Sequence, residues 1–379
     1  MVYNESKYNK NWKTMKLSDL GEFARGKSTH RPRNDKNLFE GGGYPLVQTG
    51  EIKEANLYIT HHTQEYGEFG LQQSKLWDAE TLCITIAANI AETALLAYPM
   101  CFPDSVVGFK AYKEVSSEKF MYYVFDFIRN SIQNAASGST QDNINIDYLT
   151  SLDFKVPDKI AQDKMVELLS AIDEKILMNS KINDNLEQQI KTIFTFQFLQ
   201  NANTEWKQQS LVELSEMYQP KTISGKDLIA DGNYFVYGAN GIIGKYNQYN
   251  HSESEIAVAC RGASCGSIQM TLPFSWITGN AMVVKPHSDF PYREYLYYYL
   301  LAKNPNYLCS GSAQPQLTRE NLTLYSLKVP STTELNAFES YAEKVRKIII
   351  KNQQENIELS TLRDWLLPML MNGQATISN

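Results

Sequence analysis

The chain repeats a long helical pattern. Starting at Met165 and stepping four and three residues alternately gives Met165, Leu169, Ile172, Ile176, Asn179, Asn183, Leu186, Ile190 and Ile193. This is the 3.5-residue apolar period of a coiled-coil seam, with two asparagines set into it. Moved forward by 173 positions, the same steps give Phe338, Ala342, Val345, Ile349, Asn352, Asn356, Leu359, Arg363 and Leu366. Both asparagines fall on asparagines. A helix over 161–200 would be roughly 60 Å long at 1.5 Å per residue, more than a single small domain needs.

Two helices can share a period by chance, but flanking residues that are not part of any seam obey the same offset. Gly138-Ser139-Thr140-Gln141 falls on Gly311-Ser312-Ala313-Gln314, and Val156-Pro157 falls on Val329-Pro330. Upstream, Trp12 with Leu17 and Leu20 matches Trp206 with Leu211 and Leu214 at an offset of 194. Duplication accounts for both series. The shift in offset makes the first module about 21 residues longer than the second. A shared scaffold with divergent middles suits two different recognition surfaces.

Between the landmarks the pattern is mixed α/β. Tyr44–Val47, Thr81–Ile86 and Val106–Phe109 read as strands, as does Leu152–Pro157, and 119–133 reads as a helix. In the second module Tyr234–Gly238 and Gly241–Gly244 read as a tight hairpin, Ile256–Gly262 and Ala281–Val284 as strands, and 292–302 as an aromatic-rich helix. Leu327–Pro330 closes that module before a second long helix over 334–370. Pro368 is expected to end or bend this helix, leaving 371–379 as a loose tail.

The 379 residues, 43% hydrophobic and 21% charged, suit a globular protein of two or more domains. Five cysteines with scattered spacing do not suggest a disulfide framework and fit a reducing compartment. Residues 1–16 have no apolar core of a signal peptide, and no run of eighteen apolar residues occurs. A cytoplasmic protein without membrane contact is expected. The formal charge of −6 does not exclude nucleic acid, because binding needs a local basic face rather than a basic total.

Chemical motifs are weak. Gly238, Gly241 and Gly244 lack the Lys-Ser/Thr of a nucleotide loop, and a hairpin explains them. Cys260 and Cys265 have no second pair at metal-ligand spacing, and neither does His61-His62. Asn304-Pro305-Asn306-Tyr307 departs from the Asn-Pro-Pro-Tyr of adenine methyltransferases and reads as a helix-ending turn. No catalytic, cofactor or metal residue is assigned.

Basic residues are more informative. The polar stretch 21–43 carries Arg25, Lys27, Arg31, Arg33 and Lys36, of which Lys27, Arg31 and Arg33 are the candidates, and reads either as a solvated loop or as one that holds phosphates. Lys245 follows the hairpin, and Arg261 ends a strand before Gly262, where an arginine can reach a guanine edge. Arg261 fits equally well as a solvated turn residue. Gln141 and Gln314 stand in the repeated loop, where they can bind DNA or brace their own loops. Asn179, Asn183, Asn352 and Asn356 are candidates for setting helix register. Arg363, in the seam place of Ile190, suggests that this end of the helical pair is open to solvent or to a partner.

Taken in order, the Trp-x-x-x-x-Leu-x-x-Leu entries, the Gly-Ser-(Thr/Ala)-Gln loops, the Val-Pro exits and the long helices resemble the specificity subunit of a type I restriction-modification system. The resemblance spans nearly the whole chain. It implies two target-recognition domains, 1–157 and 203–330, each reading one part of a split DNA target. The helices, 158–202 and 331–379, would pack antiparallel and fix the distance between the parts. Implied partners are double-stranded DNA, two modification subunits using S-adenosylmethionine, and two restriction subunits using ATP and Mg. Catalysis would rest on those partners, not on this chain. Without the resemblance, the same duplication also fits a helical scaffold that joins two proteins and never touches DNA.

Overall fold

The computed structural model describes residues 2, 4–137, 144, 146–311 and 315–377. The chain folds into two compact units, one of Met1–Asn179 with Glu355–Asn379 and the other of Ser180–Gln354. Each unit therefore contains one α/β module and half of each long helix.

In the first unit, strand Leu82–Thr85 is central. Leu82 and Ile84 enter one apolar cluster with Phe109 and the helix Glu118–Ser137, while the intervening Cys83 enters another with Ala94 and Leu96. A strand buried on both faces needs a continuous apolar run, with successive side chains divided between the two cores. The sheet order is Gly21–Arg25, Val106–Ala111, Leu82–Thr85, Thr93–Leu96 and Tyr58–Ile59. A second sheet runs Gln64–Tyr66, Tyr44–Leu46, Met100–Cys101 and Leu76–Trp77.

The second unit repeats this plan with fewer parts. Its main sheet is Ser215–Tyr218, Ala281–Pro286, Ile256–Ala259 and Ile268–Met270, and its smaller sheet holds the expected hairpin, Tyr234–Gly238 with Gly241–Tyr246, beside Trp276–Ile277. Gly241, at φ 95°, makes the turn in a region where a side chain would be strained. The aromatic helix is Arg293–Ala302, 10 residues against the 20 of Glu118–Ser137, which supplies part of the length difference between modules.

The repeated landmarks close each module. Lys13–Lys16 pairs with Asp153–Val156, and Lys207–Ser210 pairs with Ser326–Val329, so each tryptophan entry lies beside its Val-Pro exit. The long helices are Lys159–Phe194, continued by a π turn over Thr195–Gln200, and Thr332–Met371. They run antiparallel within each unit. In the first unit Asp173 meets Arg363 and Asn179 meets Asn356; in the second Asn183 meets Asn352 and Phe194 meets Phe338.

A repeated tyrosine pair anchors each module to the helices. Tyr122 and Tyr123 lie edge to face at 5.1 Å, and Tyr297 and Tyr298 do so at 5.0 Å. Tyr123 Oη donates to Asp173 at 2.7 Å, and Asp173 also binds Arg363 at 3.0 Å. Tyr298 Oη donates to Glu187 at 2.7 Å and accepts from Arg346 at 3.0 Å. Arg346 stands 173 positions after Asp173. The same helical position thus carries opposite charge in the two copies, each neutralised by the other helix.

Several expectations are corrected. The first five residues of the polar stretch 21–43 form an edge strand, because Gly21–Arg25 pairs with Val107–Ala111. Arg363 does not mark an open helix end, since it neutralises the buried Asp173 carboxylate. Pro368 does not end the helix, which continues to Met371. The tail is not loose through Ile377: Ala375 and Ile377 pack on the first core, and Asn372 O accepts from Ser6 Oγ at 2.5 Å. The cysteines are not all free, as Cys265 and Cys309 are joined across 44 residues in a disulfide.

Candidate nucleic-acid interface

In each unit one end of the main sheet carries part of the candidate set. Three arginines of the first unit converge on Asp104, which lies on the connection into strand Val106–Ala111. Arg33 Nη2 is 2.7 Å from its carboxylate, Arg31 Nη2 is 3.7 Å away, and Arg25 Nε donates to its backbone oxygen at 3.1 Å. Arg31 also donates to Ser28 O at 2.7 Å and His30 O at 2.8 Å. These bonds hold the guanidinium groups in place while more than half of the Arg31 and Arg33 side chains stays exposed. Three cations around one anion leave a net positive patch. Lys27, exposed on the same segment, adds to it.

The sequence singled out Arg31 and Arg33 but not their assembly, because Asp104 is 71 residues from Arg33. Arg25 was visible among the basic residues of the stretch, but its role depends on the strand that the polar composition concealed. Beside the patch lies a cavity of about 580 Å³ whose lining includes Ser28, Arg33, Gln48, Gln64, Tyr66 and Ala87.

The second unit places Arg261 at the equivalent strand end. Arg261 is exposed and bridges to Gln316, and Gly262 N donates to Pro315 O at 3.1 Å. A cavity of about 360 Å³ joins Arg261 to Gln219, Gln316, Thr318 and Arg319. Arg319 escaped the sequence reading. Its signal was the Thr318-x-x-Asn321 capping box, which starts a short helix and sets Arg319 at its first position. Lys245 is elsewhere, on the hairpin, with Nζ 5.6 Å from the centre of the Phe235 ring. It is not among the residues lining the Arg261 cavity. Gln141 and Gln314 fall outside the described residues.

A third constellation lies beneath the aromatic helix of the second unit. Glu294 is fully buried and paired with Arg346 at 3.1 Å. Glu339 accepts from Glu294 N at 2.9 Å and Tyr295 N at 3.1 Å, closing the start of that helix. Burial raises the Glu339 carboxyl to about 7, while those two N–H groups pull in the opposite direction. This is structural chemistry, since every group has its partner inside the unit. Among the described residues, no three His, Cys, Asp or Glu side chains cluster so as to hold a metal ion. No helix among them is long and apolar enough to cross a membrane.

Comparison with known proteins agrees with this duplicated architecture. The type I restriction modification DNA specificity domain matches twice, over residues 9–188 and 203–360. The chain belongs to the family of type I restriction-modification specificity subunits. It is 22% identical to the type I restriction enzyme MjaIX specificity subunit of Methanocaldococcus jannaschii, covering 97% of this chain and 94% of that one. It is likewise 22% identical to the EcoprrI specificity subunit of Escherichia coli over 79% of each chain. The crystal structure of a type I specificity subunit from M. genitalium shares the fold, with a TM-score of 0.65, 17% identity, and coverage of 98% of this chain and 99% of that one.

Proposed function

We propose that this DNA specificity subunit reads a target in two parts, one with each unit, and that the long helices set the distance between the parts. The observation that carries this reading is the repeated strand end finished by different polar groups: the Arg25–Arg31–Arg33 patch in the first unit, and Arg261 with Gln316 and Arg319 in the second. A repeated scaffold supports equivalent placement on DNA, whereas unlike side chains at the same place support different sequences.

In this reading Arg31, Arg33 and Lys27 neutralise phosphates, and Arg261 presents its guanidinium to a base edge. Two adenine-modification subunits supply S-adenosylmethionine chemistry, and two restriction subunits supply ATP- and Mg-dependent translocation and cutting. This chain contributes recognition and geometry rather than catalysis. The asparagine pairs keep the helices in one register, since slippage would leave buried amides without partners.

Replacing residues 21–150 with the segment of a related chain, followed by mapping of methylated sites, tests the division of labour. One half of the target should change while the other half and the gap remain. A target unchanged in both halves would overturn the reading.

A further inference from the structure

The two units build the same strand end and then differ in the residues that follow it. Ile86 N donates to Ser105 O at 2.9 Å and Ile86 O accepts from Ile144 N at 3.0 Å; Cys260 N donates to Asn280 O at 2.9 Å and Cys260 O accepts from Leu317 N at 2.9 Å. Ile144 and Leu317 are again 173 positions apart. The next residue is Ala87 in the first unit and Arg261 in the second. The one after is left-handed in both, with φ 62° at Ala88 and 80° at Gly262. The first unit therefore has a methyl group where the second has a guanidinium. The cavity beside Ala87, about 580 Å³, reaches the smaller sheet at Leu46, Gln64 and Tyr66, whereas the cavity of about 360 Å³ beside Arg261 reaches Gln316 and Arg319 instead.

The lining of the larger cavity selects a class of ligand. Asn34, Gln48 and Gln64 bring neutral amides, and Phe39 and Tyr66 bring two rings 5.5 Å apart. Gln48 Nε2 donates to Gln64 Oε1 at 3.2 Å, so the two amides present donors and acceptors side by side. Among the described residues no carboxylate lines the cavity, and the one cation among them, Arg33, has its guanidinium drawn to Asp104. A phosphate inside the cavity would meet mostly neutral amides and rings, and a purely apolar ligand would leave the amides unpaired. A flat heteroaromatic with hydrogen-bonding edges satisfies both the rings and the amides.

We propose that this cavity receives a single nucleobase turned out of the duplex at the first half of the target. The inference rests on the two-part DNA reading given above and adds a binding mode to one unit alone. Extruding a base costs unstacking and unpairing energy, which contacts to the amides and rings offset. In the second unit the cavity at the matching strand end is lined instead by Arg261 and Arg319, and that half of the target is read without extrusion.

The full chain can be tested on duplexes carrying its mapped target, with a mismatched partner placed opposite each base of the first half in turn. Because a mismatch removes much of the unpairing cost, binding should tighten by on the order of tenfold at one position. 2-Aminopurine at that position, or a fluorescent cytosine analogue for a pyrimidine, should brighten on binding. Ala87→Arg, which copies the second unit, should abolish both the mismatch advantage and the brightening. Gln64→Ala, a change at an exposed residue, should reduce both if the arginine variant does not fold. Tight binding to the duplex with no responsive position, or a response unchanged in the folded variants, would overturn the base pocket while leaving two-part recognition standing. Absence of any target binding by the wild-type chain would overturn both.

Discussion

Asn352 Nδ2 donates to Asn183 Oδ1 at 2.9 Å, and Asn183 Nδ2 in turn reaches Ile349 O at 3.3 Å. The repeat-related pair has Asn179 donating to Asn356 Oδ1 at 2.9 Å, while Asn356 reaches Ile176 O at 3.2 Å. Each asparagine meets the copy of its neighbour, as antiparallel helices require. Replacing Asn352 with alanine leaves the Asn183 carbonyl buried without its donor, and should cost about 1 to 3 kcal/mol in urea unfolding. Changing both Asn183 and Asn352 to leucine should recover most of that loss. A single variant as stable as wild type would show that the pair does not hold the helices.

If the long helices set the distance between the two half-sites, lengthening them should widen the gap. One heptad inserted after Asn179 and another after Gln354 leaves the contacts within each unit intact, because the chain divides at those points. The helical pair should lengthen by about 10 Å, roughly three base-pair steps. Methylation mapping should return the same two half-sites with a wider gap. An unchanged gap would exclude the helices as the ruler.

Arg261 provides a side-chain test. Arg261→Ala should weaken target binding by about 1 to 3 kcal/mol and relax preference at one base pair of the second half-site. Arg33→Ala should instead weaken all sequences alike and flatten the salt dependence. Equilibrium binding at several salt concentrations separates these outcomes. Unchanged affinity for Arg261→Ala would remove that residue from recognition.

Glu339 gives the second unit a pH dependence. Its folded-state value of about 7, mainly from burial, exceeds the ordinary 4.5. Its contribution to stability is therefore complete below the unfolded value and lost as pH rises through about 7. Glu339→Gln keeps an acceptor for one of the two N–H donors but cannot ionise. Relative to wild type, the variant should gain stability between about pH 4.5 and 7 and show no further relative gain above that range. A constant difference in urea midpoint across this range would contradict the assignment.

The Arg346–Glu294 pair carries a larger penalty. Arg346→Met removes the cation beside a fully buried carboxylate, and should destabilise the second unit by about 3 to 5 kcal/mol. Adding Glu294→Leu to Arg346→Met should restore part of that stability, measured by thermal unfolding. A mild effect of the single variant would mean that Glu294 takes up a proton in place of the ion pair.

The sequence alone determined the duplication, the helical seam and the alternation of strands and helices. These are local periodicities and copied residues, and they survive without knowledge of any contact. The hairpin of Tyr234–Tyr246 was legible for the same reason, because its glycines and flanking apolar residues act within a few positions. Arginine clustering was not, since Asp104 meets Arg25, Arg31 and Arg33 only after the first sheet has formed.

Tertiary structure decided how the copied positions were used. Arg363 looked like a break in the seam until antiparallel packing set it beside Asp173, and Cys265 looked isolated until the fold brought Cys309 to it. Ala87 gave no signal in sequence, for a small residue matters through the space it leaves, and only the equivalent Arg261 shows what can occupy that place. Local pattern fixes which segments form. Burial then decides which distant charge, sulfur or amide must find a partner, because an unpaired polar group costs free energy only once water has been excluded from it.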